Sequence, residues 1–163
     1  MFERLLLAID DSPASEVAVV FATAFAQRCS SSVHVVHINE YQVAGRGVTL
    51  HTHDEAAELV TRAVLELRAA GVRASGSGCV ARYRQVPQCI VEASRRHQAD
   101  AIILGSNRQR WLSRIFSLRV RERTTRLTSL PVLTAPSPLK VATLSPADLV
   151  QAQVNAELMA LLP

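Results

Sequence analysis

The hydrophobic pattern alternates between short continuous runs and helical stripes. Five runs read as strands: residues 4–9 (RLLLAI), 33–38 (VHVVHI), 72–81, 100–104 (DAIIL) and 131–135 (PVLTA). Continuous rather than alternating runs suit strands covered on both faces, as in parallel sheets. The third run is loosened by Gly76 and Gly78. Between the runs lie helical patterns. Ser12 and Pro13 supply an N-cap and a first-turn proline. Val17, Val20, Phe21, Ala24 and Phe25 follow them at helical spacing. Thr52 and Glu55 are spaced as a capping box. Ala56, Val60, Ala63, Val64 and Leu67 continue that helix, and Gly71 stops it. A third helix begins at Pro87, with Ile90 and Val91 on its apolar side. It ends on Arg95, Arg96 and His97, where cations complement the dipole. A weaker fourth pattern covers residues 118–127.

Strand and helix therefore alternate throughout, which predicts a three-layer α/β sandwich around a five-stranded, mostly parallel sheet. Right-handed crossovers place helices on both faces. Ligands of such folds bind beyond the carboxyl ends of the strands, near the point where strand order reverses. The segments to inspect are 10–12, 38–40, 82–85 and 105–108. Residues 39–51, with Gly45 and Gly47, read as a long loop or lid. Pro136 and Pro138 make a stiff link to residues 145–162, whose Val150, Val154, Leu158 and Leu161 form an apolar stripe. The chain thus divides into an α/β domain, 1–136, and a tail, 137–163, with an amphipathic helix that docks on its own domain or on a second copy.

Composition narrows the class. At 163 residues, 48% apolar and 20% charged, the chain is long enough for a core without disulfides or metal. No stretch is long and apolar enough to span a bilayer, and the first residues lack a signal-peptide pattern, so a cytoplasmic location is expected. Cys29, Cys79 and Cys89 form no C-x-x-C and read as reduced, small, buried apolar side chains. His34 and His37 share a strand and face opposite sides. His51 and His53 beside Asp54 lack a defined third ligand, so no metal site is expected.

Charge sharpens the picture further. All but one of the 18 basic residues are arginines, and the net charge is +4. Residues 105–126 alone carry seven arginines against Glu122, a net +6, so the rest of the chain is slightly acidic. Trp111, Leu112, Ile115 and Phe116 sit among these arginines. Three readings follow: a solvated face of paired arginines, an anion site, or a docking surface for an acidic partner or nucleic acid. Aromatic residues are only 4% of the chain, which leaves little for a base-stacking platform, and nucleic acid is the least supported partner.

The ordered set LLLAIDDS, VHVVHI, HQADAIILGS and PVL resembles the universal stress protein family over about residues 1–136. The resemblance implies a dimeric five-stranded α/β fold and a regulatory role in stress response. ATP-binding members are similar to one another in a G-x2-G-x9-G-[S/T] loop, whose backbone amides cradle phosphates. Here Gly105, Ser106 and Asn107 open that loop, but Arg108 stands at the second glycine. Counting back from residues 131–133 puts Leu118 at the third glycine and Arg119 at the hydroxyl position. The resemblance also implies that Asp10, Ser12 and Ile38 occupy nucleotide-facing positions, although the non-binding branch shares them. The candidate binding residues are therefore Asp10, Ser12, Ile38, Gly105, Ser106, Asn107, Arg108 and Arg119. No catalytic arrangement, P-loop or G-x-G-x-x-G motif is present. The expected function is a stress-response interaction protein, a homodimer with no required cofactor. The alternative is a module that responds to ATP, AMP or phosphate, with Arg108 and Arg119 replacing lost backbone donors.

Overall fold

The computed structural model describes residues 2–42, 48–49, 51–106 and 120–136. The elements are β1 (Arg4–Ile9), α1 (Pro13–Cys29), β2 (Ser32–Gln42), β3 (Val48–Thr49), α2 (His53–Ala69), β4 (Ala74–Arg82), α3 (Val86–Arg96), β5 (Ala101–Leu104), α4 (120–127) and β6 (Val132–Thr134). Five parallel strands run in the order β4-β2-β1-β5-β6, and the two-residue β3 adds antiparallel to the end of β2. Alternate strand residues enter two cores. Leu5, Leu7, Val33, Val35 and Ile103 meet α1 and α2 on one face. Leu6, Val36, Ile102 and Leu104 meet α3 and Val120 of α4 on the other. All four residues of β5 are buried, as a central parallel strand requires. No helix among the described residues is long and apolar enough to cross a membrane.

Helix α2 follows its sequence pattern closely. Thr52 and Glu55 close the capping box, and Ala56, Val60, Ala63, Val64 and Leu67 are its buried residues. Gly71 adopts φ 81° just past its end, while Val72 N–H donates to the Leu67 carbonyl.

Three expectations need correction. Helix α1 turns a small-residue stripe to the sheet, with Ala14, Ala18, Val19, Ala22 and Ala26 buried, whereas Val20 is 69% exposed. Alanines bring the helix axis close to the sheet; Phe21 and Phe25 pack at the margin. Residues 39–42 are strand rather than loop, because β4 pairs with β2 as far as Tyr41–Arg82 and β3 pairs with Tyr41 and Gln42. Strand β4 begins at Ala74, and its Gly76 makes room for α2: a Cβ there would clash with Val60 and Val64. Gly45, Gly47, Trp111 and the tail from 137 onward lie outside the described residues.

Candidate functional site

The strand order fixes where a site can form. From β1 the chain steps outward to β2 and β4, then returns across the sheet to β5 and β6. The reversal lies between β1 and β5, the crevice where ligands of open α/β sheets bind. Register sets the residues there. Ala8 pairs with Leu104 and Ile9 with His37. One further step brings Asp10, Ile38 and Ser106 to the same level of the sheet.

The β1–α1 corner is closely tied. Ser12 Oγ donates to Asp10 Oδ1 at 2.5 Å, and Ser15 Oγ donates to the same oxygen at 2.6 Å. Asp10 N–H donates to Ser15 Oγ at 2.8 Å. Ser12 occupies the N-cap position, but its hydroxyl makes no bond to the helix amides. That corrects the capping role expected for it. The Ser12 hydroxyl instead turns to donate its proton to the Asp10 carboxylate, a charge-assisted bond. Gly105 follows β5 and packs on the first turn of α1; a Cβ there would lie 3.0 Å from the Ala14 carbonyl oxygen. Ser106 is buried, and its Oγ has no partner among the described residues. Ile38 is half-buried and packs on the α3 side. Asn107, Arg108 and Arg119 lie outside the described residues.

Other groups at this edge are not among the candidate binding residues read from the sequence, although Asn39 and Glu40 fall in the strand-end segment 38–40. Ser15 gave a signal, a hydroxyl on an otherwise small apolar stripe. His37 Nδ1–H donates to the Ile9 carbonyl at 3.1 Å, and burial is the main cause of its lowered pKa. Its Nε2 has no partner among the described residues. The His51 ring meets His37 edge-on at 5.5 Å, while Asn39 bonds the His51 backbone in both directions. Burial, then Asp10, raises the pKa of Glu40. Nothing in the spacing of these residues announces the pairings, since β3 returns the chain to β2 through residues with no strand pattern. Among the described residues, no group of three or more His, Cys, Asp or Glu could hold a metal ion.

Two clefts of opposite charge flank the carboxyl edge. One, of about 260 Å³, lies between α1 and α2 and is lined by Asp10, Asp11, Glu16, Glu66 and Arg62. The other, of about 320 Å³, lies between α3 and α4 and is lined by Tyr83, Arg84, Pro87, Val120 and Arg123. Thus Arg84, after β4, and Arg123, from the basic segment, share a cleft. Arg126 instead pairs with Glu122 at 2.6 Å in solvent, the arrangement of a solvated face.

Comparison with known proteins agrees with this geometry. The chain is similar in fold to a universal stress protein family member from Burkholderia pseudomallei (TM-score 0.66, 18% identity, covering 83% of this chain and 96% of that one). It is also similar to a universal stress protein from Archaeoglobus fulgidus (0.65, 23%, 83% and 100%). A further match is the Archaeoglobus fulgidus universal stress protein solved in complex with dAMP (0.62, 23%, 82% and 98%). A search of curated protein sequences gave no match. The sequence profile of the universal stress protein family matches residues 1–136, and with the switch-point sheet and the strand-end residues in place, the chain belongs to that family.

Proposed function

We propose that this stress-response protein works as a regulatory interaction module that does not use the phosphate cradle of ATP-binding members. One observation carries the reading. The β1–α1 corner is already satisfied by its own residues, with two serine hydroxyls on Asp10 Oδ1. The single glycine kept from the loop, Gly105, is accounted for by its contact with Ala14. Side chains at the remaining glycine positions would obstruct close backbone approach to phosphates. The unit of action is a pair of chains. Among the described residues, strand β6 ends the sheet and pairs only with β5, leaving a ladder edge that a second copy can cover.

A second reading is favoured by the cleft that Arg84 and Arg123 share. Guanidinium groups bind phosphate by charge-assisted, bidentate bonds and need no glycine cradle. The relative solved with dAMP makes an adenine nucleotide the first ligand to try.

Thermal melts of the full chain with ATP, AMP and inorganic phosphate separate the two. A ligand at a hundredfold its Kd adds about 2.7 kcal/mol of stability. An unmoved Tm with all three at millimolar concentration supports the first reading. A rise with phosphate and AMP that fades with salt and is lost in Arg123→Ala supports the second. A rise with ATP alone, unaffected by Arg123→Ala, contradicts both.

A further inference from the structure

Away from the switch point, two cysteines lie on the same side of the sheet, between β4 and α3. Ser75, Ser77 and Cys79 pair in register with His34, Val36 and Ile38 of β2. His34 bonds both serines through its ring nitrogens, so this set of β4 side chains points to the α3 side of the sheet. On α3, Val86, Ile90 and Ala93 enter the core beneath the helix. Cys89 lies one turn from Val86 and from Ala93, which puts it on the sheet-facing side.

The connection is short enough to level the two residues. From Cys79 the strand climbs about 10 Å to Arg82 at the usual rise per residue. The 3-10 turn Tyr83–Gln85 and the first turn of α3 then return about 12 Å. The two thiols lie near enough that each contributes to the other's pKa shift. Neither is sealed in the core. All three cysteines are half-buried, not buried as composition suggested. Cys29 ends α1, the helix that packs on the opposite face of the sheet.

We propose that Cys79 and Cys89 are an oxidant-responsive dithiol whose disulfide fastens edge strand β4 to α3. Because burial leaves Cys79 the poorer source of thiolate, Cys89 is the attacking thiol. Its thiolate sulfur attacks one oxygen of a hydroperoxide. The O–O bond breaks, Cys89 becomes a sulfenic acid, and hydroxide or alkoxide leaves. The Cys79 sulfur then displaces water from that sulfenic acid. Two thiols and one hydrogen peroxide thus give one disulfide and two waters. Burial pushes the Cys79 thiol up to about 11, and burial with Glu92 raises Cys89. Oxidation is therefore slow at neutral pH and accelerates as pH rises. The bond closes a ring across Arg82, Tyr83 and Arg84, and so fixes the turn that presents Arg84 beside Arg123.

Peptide mapping of the full chain tests this. Trypsin cuts after Arg73, Arg82, Arg84 and Arg95, so residues 74–82 and 85–95 separate unless the disulfide joins them. After hydrogen peroxide treatment, the non-reducing digest should contain the 74–82 and 85–95 peptides linked, lighter by two hydrogens than their sum. Alkylation should fall from three thiols to one, at Cys29. Cys29→Ser should keep the link, and Cys79→Ser should abolish it. Three thiols still alkylatable, a link through Cys29, or sulfinic acid at Cys89 without a link would each overturn the proposal.

Discussion

Single contacts decide what the corner of the sheet can hold. Gly105 faces the backbone of Ala14, which cannot swing aside as a flexible side chain would. Gly105→Ala is expected to cost about 1–3 kcal/mol through this crowding. A lowered denaturant midpoint checks it, and an unchanged midpoint would mean that the corner has slack. His34 gives a second residue-scale prediction. Its ring stacks on His97, with centroids 3.3 Å apart, and it is 8% exposed. Burial first, then His97, lowers its pKa from 6.5 to about 4. The unfolded chain therefore binds the proton more readily between those values. Stability is full above the unfolded value and is lost as pH falls toward and below the folded one, by about 3 kcal/mol. His34→Gln should flatten this part of the pH–stability profile. A slope that survives the substitution would place its origin elsewhere. Asp10 and Ser12 could be picked out from sequence, but their mutual bond could not. Which way a serine hydroxyl turns depends on the acceptors the fold brings to it.

At the scale of elements, legibility followed how local each cause was. Helix α2 carries its cap, its apolar face and its stop within a few residues of one another, and all three appear in the structure. Helix α1 was harder to read, because its large residues suggested one face while close packing selected the alanines. Strand β4 looked weak because of Gly76, yet that glycine is what allows α2 to lie close. The space it leaves is defined by Val60 and Val64, distant in sequence. The end of β2 looked like a loop because its polar residues are paired by β3 and β4, partners that no local pattern names. Strand β6 makes a prediction at this scale. Among the described residues it is an edge strand, and with half-buried Val132 and Leu133 it favours pairing with a second copy. Sedimentation of the full chain is expected at twice 17.8 kDa. A single-chain mass at micromolar concentration would remove the dimer from the account.

For the whole molecule, strand order and charge distribution matter more than any single motif. The sheet reverses between β1 and β5, and every described candidate residue lies within a step of that reversal. The overall +4 conceals a separation of charge. Carboxylates gather beside α1 and α2, while Arg84 and Arg123 line one cleft on the α3 side. The concentration of arginine in residues 105–126 was visible in the sequence. The convergence of Arg84 with Arg123 was not, because it depends on how α4 docks against α3. The central claim is that this family member regulates without the glycine-based nucleotide cradle. Titration calorimetry of the full chain with ATP tests it most directly. The account predicts no saturable heat up to millimolar nucleotide. A one-site isotherm with micromolar Kd, weakened by Asp10→Ala, would contradict it.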